Sequence, residues 1–130
     1  MMILFILEIR KSKPYDIPLS TNSKQLYCFE ITIYNNDQLI LSLLDLENRE
    51  NKYEKKYTYE EIVEEFSVLP KKVKDDLINL MYFQVFIAGL AKNNKIEINR
   101  SGDNLRLELY DIAKAPKGAV YNVSILIEKV

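Results

Sequence analysis

Apolar and polar residues alternate with a period of two over several stretches of this chain, and a longer apolar rhythm interrupts them in the middle. From Gln25 to Tyr34, Tyr27, Phe29, Ile31 and Ile33 alternate with Cys28, Glu30 and Thr32. That is the pattern of a half-buried strand. Asn35-Asn36-Asp37 reads as a turn, because Asn and Asp tolerate left-handed backbone angles. Gln38 to Leu46 returns as the partner strand of a hairpin. Lys95 to Arg100 alternates around Ile96 and Ile98, and Ser101-Gly102-Asp103-Asn104 is the next turn. Leu105, Leu107 and Leu109 then face inward while Arg106 and Glu108 face out. A turn at Ala115-Pro116-Lys117-Gly118 precedes a last strand, Val120 to Lys129, with Tyr121, Val123, Ile125 and Ile127 on one face.

The first strand is expected from Met2 to Arg10. It is apolar on both faces, with Ile3, Phe5, Leu7 and Ile9 on one and Leu4 and Ile6 on the other, which predicts a buried strand. Lys11 to Lys24 carries Pro14 and Pro18, poor residues for a ladder interior, and reads as a loop. The charged stretch from Asp45 to Tyr57 also reads as a loop or fraying segment.

Thr58-Tyr59-Glu60-Glu61 is a capping box, in which threonine caps a helix and the glutamate three residues on reaches back. A short helix through Phe66 follows, with Ile62, Val63 and Phe66 as its apolar stripe. Pro70 suits the first turn of a second helix, expected to run to about Asn93. From Leu77 to Leu90 this helix is apolar almost all round, which predicts burial on most sides. Leu77, Leu80, Met81, Phe83, Phe86 and Leu90 are its expected core residues. Gly89 inside it costs about 1 kcal/mol relative to alanine. With Ala88 and Ala91 it marks a place where a sheet or another helix can approach closely.

The element order is therefore β-β-β-α-α-β-β-β in one domain over residues 1–130. Strands come in runs, so the expected class is α+β: a mainly antiparallel sheet packed against one long buried helix. The strand at Gln38–Leu46 raises a difficulty. Leu39, Leu41 and Leu43 lie on one face, and Ile40 and Leu44 on the other. One helix covers one face only, so the second must be covered by the short helix and loops, by curling into a barrel, or by another chain.

Composition narrows the chemistry. The 130 residues contain no histidine, no tryptophan, one cysteine and three glycines. There is no imidazole for general base work near neutral pH or for zinc, and no glycine-rich loop to cradle phosphate. The formal net charge of −1 argues against a general nucleic-acid binder and against a mimic of DNA. Cys28 cannot form an intrachain disulfide and reads as a small buried hydrophobe. The apolar start lacks a positive n-region and a cleavage site and is too short to span a bilayer, so a cytoplasmic protein is expected. The N-x-S sequons at Asn99 and Asn122 then carry no glycan. No metal or other cofactor is expected. A calcium loop starting at Asp45 fails because Glu50 stands where glycine is required and Lys56 where glutamate is required. Glu60, Glu61, Glu64 and Glu65 read as a solvated helix face. Glu30 is the carboxylate expected to be partly shielded.

A superficial pattern resembles the winged helix-turn-helix family. The Glu60–Phe66 helix, a four-residue break, a lysine-headed helix and a charged hairpin would place Lys71, Lys72, Lys74 and Arg100 on DNA. The acidic first helix and the apolar second helix oppose that reading. The tyrosines carry the preferred one. Tyr53, Tyr57 and Tyr59, with Lys55 and Lys56, would form an aromatic patch with a charged rim, suited to a protein interface.

The expected function is a non-enzymatic protein-binding module. Its partner would be another protein, with a homodimer as one arrangement and neither membrane nor nucleic acid involved. The wealth of Lys, Ile, Asn and Tyr suits an AT-rich genome, and an inhibitor or accessory protein of a phage or mobile element, one that blocks a host defence complex, fits that setting. The alternative is a small-ligand or nucleotide sponge, which calls for a tyrosine-flanked pocket with converging basic residues.

Overall fold

A computed structural model describes residues 5–114 and 120–130. Its elements in chain order are β1 (Glu8–Lys11), β2 (Tyr15–Leu19), β3 (Asn22–Tyr34), β4 (Gln38–Asp45) and β5 (Lys52–Thr58). Three helices follow, α1 (Tyr59–Glu65), α2 (Lys71–Asp76) and α3 (Leu80–Lys92). Then come β6 (Ile96–Ser101), β7 (Asn104–Lys114) and β8 (Val120–Lys129). Seven strands close on themselves in the order β3-β2-β6-β7-β8-β5-β4, with β4 pairing back to β3. The neighbours are antiparallel except β2 and β6, which run parallel. β1 lies on the same edge of β3 as β2, further along it.

This closed barrel overturns the expected α+β class. The structure is 51% strand and about 22% helix, with three short helices among the described residues rather than one long one. The physical reason lies in the alternation. Leu39, Leu41 and Leu43, Leu105, Leu107 and Leu109, and Ile125 and Ile127 are all buried on inward faces. Rolling the sheet up buries that face against itself. A 13-residue helix, about 20 Å long, is too small to cover seven strands.

Two seams hold the barrel shut. β2 meets β6 at Leu19 and Ile98, reinforced by Ser20 N–H donating to the Ile98 carbonyl at 2.9 Å. β5 meets β8 at Tyr53–Lys129 and Glu54–Glu128, with Val130 N–H donating to the Lys52 carbonyl at 2.8 Å. Both seams are tied toward the lower end and part toward the upper end, where the chain leaves β5 and re-enters β6 through the helices. The helices therefore cap the upper end. Phe83 of α3 makes edge-to-face contacts there with Phe66 at 5.1 Å and Tyr57 at 6.2 Å between centroids.

The lower end is closed by polar groups. The buried Asp45 carboxylate accepts from Gln25 Nε2 at 3.1 Å and from the backbone N–H groups of Glu47 and Asn48. Arg100 Nη2 donates to Gln25 Oε1 at 3.0 Å, and Gln25 Nε2 donates to the Tyr27 hydroxyl at 3.2 Å. These groups pair with one another across the barrel end, Gln25 of β3 linking Asp45 of β4 to Arg100 of β6, which suits a plug.

Further expectations are corrected. The run read as one helix from Pro70 to Asn93 is broken at Leu77-Ile78-Asn79, because Asn79 caps α3 by accepting from Tyr82 N–H at 3.0 Å. Of its expected core residues, Leu77, Leu80, Phe83 and Leu90 are buried, Phe86 is partly buried and Met81 is exposed. The first strand is only Glu8–Lys11 and exposed throughout; its expected beginning at Met2 to Leu4 lies outside the described residues. The turn at Ala115–Gly118 lies outside them too. The stretches read as loops contain β2 and β5. The winged-helix unit does not form. Lys71 and Lys74 sit on the upper cap, paired with Asp75 and the Ser67 carbonyl, whereas Arg100 serves the lower plug. The side chain of Lys72 lies outside the described set.

The hairpin of β3 and β4 matches its reading, with Tyr34 opposite Gln38 and Asp37 at φ 59° in the turn. So does the capping box. Glu61 N–H donates to Thr58 Oγ1, and Thr58 N–H donates to the Glu61 carboxylate at 2.9 Å.

Candidate functional site

The expected tyrosine patch does not assemble on the surface. Tyr53 and Tyr57 point into the barrel, 5% and 1% exposed. Tyr53 packs edge-to-face on Tyr27 at 6.2 Å, and Lys55 lays its ammonium over the Tyr57 ring at 5.1 Å. Lys56 is exposed, and Tyr59 is half-buried with its hydroxyl donating to the Leu77 carbonyl at 2.8 Å. The Tyr57 hydroxyl is buried beside the Glu65 carboxylate, without a well-formed hydrogen bond to it. Burial, and then the nearby Glu65 charge, push its pKa well above the usual phenol value.

The titratable groups weighed for catalysis are engaged elsewhere. Cys28 is half-buried rather than fully buried. Its thiol pKa is pushed up by burial first and by Glu30 second, which disfavours a nucleophilic thiolate. Glu30, half-buried, meets Lys11 at 3.0 Å. Glu60, Glu61 and Glu64 are exposed and Glu65 is half-buried. Among the described residues no group of three or more His, Cys, Asp or Glu side chains is placed to hold a metal ion.

The feature that stands out is the upper cap's outer surface. α3 is built with two unlike faces. Leu80, Phe83, Gln84, Ile87 and Leu90 are turned onto the barrel and buried. Gln84 fixes the helix in place: its Nε2 donates to the Ile31 carbonyl at 2.8 Å and to the Arg10 carbonyl at 3.3 Å, while Arg10 Nε donates to its Oε1 at 2.6 Å. One side chain thus ties α3 to both β1 and β3. On the far side, Met81, Tyr82 and Val85 are exposed, with Ile78 just before the helix. These are ordinary core residue types left in water.

Beside them lies the segment leading into β1. Phe5, Ile6, Leu7 and Ile9 are each exposed by more than half. Asn35 fixes this segment, accepting from Leu7 N–H at 2.8 Å and donating to the Phe5 carbonyl at 3.0 Å. A groove of about 400 Å³ joins the two regions, with Ile9, Ile33, Ile78 and Met81 as apolar walls and Arg10, Asp37 and Glu60 at polar positions. The eight exposed residues present on the order of 900 Å², against ~300–600 Å² for the largest patch of a typical monomer. Sequence reasoning expected the Met2–Arg10 strand and Met81 to be buried, and the helix around Ile78, Tyr82 and Val85 to be covered on most sides. The signal that could have found part of this face is helical spacing: at about 3.6 residues per turn, Val85 lies opposite both Phe83 and Ile87 on α3.

A second concavity, about 470 Å³, opens where β2 and β6 part. Tyr15, Lys13 and Lys92 line it, with the Lys13 ammonium 5.5 Å from the Tyr15 ring centroid.

No family model matches the chain, and neither a curated protein nor a solved structure matches it. No helix among the described residues is long and apolar enough to cross a membrane.

Proposed function

We propose that this chain is a non-enzymatic protein-binding module whose contact surface is the outer face of α3 together with the Phe5–Ile9 segment. The observation that carries the reading is the exposed apolar surface on both sides of the groove between α3 and β1, with Gln84 tying α3 to β1 and β3. Apolar surface of this extent is disfavoured in water unless a partner covers it. Rigid presentation reduces the ordering entropy lost on binding. A small barrel with one such face suits an inhibitor or accessory subunit that acts by covering a partner's surface. The AT-rich residue usage keeps a phage or mobile element as the setting we favour.

The test is site-specific photocrosslinking in the producing cell. Benzoylphenylalanine in place of Val85 is expected to give a discrete crosslinked protein. The same group in place of Thr21, exposed on the β2–β3 turn, is expected to give none. No product at 85, or equal products at both positions, contradicts the proposal.

A second reading rests on the concavity between β2 and α3. Tyr15 offers a stacking surface, and Lys13 and Lys92 offer phosphate contacts. Calorimetric titration with short oligonucleotides is expected to show binding that Lys13→Ala and Lys92→Ala abolish together. No binding by the parent chain removes this reading.

A further inference from the structure

Resting on that reading of the α3 face, we infer that its occupant is a second copy of this chain, packed helix against helix in antiparallel orientation across a two-fold axis at Val85.

The spacing of the outward positions carries the argument. Within α3, Tyr82, Val85, Gly89 and Lys92 follow one another at intervals of three, four and three residues, and Ile78 lies just ahead of the Asn79 cap. That interval is the seam of a two-stranded helical pair. Tyr82 and Val85 are exposed, so among the described residues the seam is open to solvent.

Gly89 supplies the second observation. A Cβ built on it meets no atom within 4 Å. Packing inside this chain therefore does not require glycine, and glycine is a poor helix former. A helix approaching from outside does make use of the space. With the axis at Val85, antiparallel packing sets Val85 on its counterpart and brings Tyr82 of each copy within one residue's rise, about 1.5 Å, of Gly89 of the other. A large ring then meets an open backbone, and it does so twice by symmetry.

The available area agrees with a second copy. The exposed surface of α3 and the Phe5–Ile9 segment approaches the ~800 Å² per partner of a standard interface. An interface of this kind is isologous and closes at two copies.

Sedimentation velocity of the full chain over about a hundredfold range of concentration tests the inference. The parent is expected to sediment as a dimer at the upper end and to dissociate on dilution. Val85→Lys is expected to remain a monomer throughout, and Gly89→Leu to weaken association by about tenfold or more. Both variants should keep the parent's circular dichroism, because neither position is packed within the chain. Orientation is read by a short bismaleimide on a Cys28→Ser background. Ile78→Cys chains should crosslink to Lys92→Cys chains in a mixture, and not to one another. A parent that stays monomeric overturns the inference, as does a dimer insensitive to Val85→Lys or an Ile78–Ile78 crosslink. The photocrosslinker in place of Val85 separates the two proposals. A monomer that still crosslinks a different protein removes the second copy and leaves the binding face standing. A monomer that crosslinks nothing removes both.

Discussion

The barrel interior and the outer face of α3 contain the same kinds of side chain in opposite circumstances. Leu41, Leu43, Leu107 and Ile125 belong to one continuous buried cluster, and so does Phe83 on the inner face of α3. Ile78, Tyr82 and Val85 on the outer face meet solvent, with Val85 54% exposed. The first group accounts for the fold. The second contributes little to it, and that is the reason to assign it to binding. Hydrophobicity alone did not separate the two; position around the helix did.

The largest contrast comes from truncation inside the barrel. Leu107→Ala removes a fully buried side chain, and an expected loss of about 2–5 kcal/mol follows from lost transfer energy and the cavity left behind. Tyr82→Ala on the outer face is expected to change the stability of the isolated chain by no more than about 0.5 kcal/mol. Urea titration of both variants at low protein concentration checks the pair.

Gln84 stands where the two regions meet. Gln84→Leu keeps the volume but removes the donors to the Ile31 and Arg10 carbonyls. The expected loss is about 1–3 kcal/mol, with faster amide exchange in β1. A neutral result would mean that the cap is held by packing alone.

Tyr57 tests whether its ring is core, as the structure has it, or surface, as the sequence suggested. Its hydroxyl is buried without a well-formed hydrogen bond, so Tyr57→Phe is expected to raise stability by about 1 kcal/mol. The folded pKa lies above the unfolded value. The neutral phenol therefore contributes stability in full below the ordinary tyrosine pKa of about 10, and that contribution fades as pH rises through it. Denaturation midpoints of the phenylalanine variant should fall less steeply above that pH than those of the parent.

The smallest effect concerns Glu61 on the exposed start of α1. Its pKa is lowered chiefly by the Thr58 N–H that donates to it. That contribution is present above the ordinary glutamate pKa of about 4.3 and is lost as pH falls through it toward the folded value. Glu61→Gln keeps an acceptor for Thr58, so the expected change is loss of that acid-side slope, read from melting temperature against pH.

Much of the fold was legible where one signal dominated. The β3–β4 hairpin followed from strict alternation and an Asn-Asn-Asp turn, and the start of α1 from Thr58 and Glu61. β5 was hidden because Lys-Tyr-Glu-Lys-Lys-Tyr-Thr reads as charge. Yet Tyr53, Lys55 and Tyr57 share one face of a strand, and the Lys55 stem can lie along apolar surface while its ammonium covers a ring. β2 was hidden by Pro18, tolerated here because β2 pairs with β6 at one position only. Barrel closure was one of three ways seen to cover the second face of Gln38–Leu46, but the apolar run from Leu77 to Leu90 favoured a long buried helix instead. The outer face of α3 was not told from its inner face for the same reason: a run that is apolar all round does not say which side water will take.

The most direct measurement is a urea titration of Phe83→Lys and Val85→Lys side by side, at a concentration below any self-association. The two positions are two residues apart on one helix and face opposite ways. The account predicts that a lysine at 83 unfolds the chain or lowers its stability by several kcal/mol, since a charge is forced among Tyr57 and Phe66. It predicts that a lysine at 85 leaves the midpoint within about 0.5 kcal/mol of the parent. A large loss at Val85 would show that this face is packed within the chain, and the division between barrel and binding surface would fall.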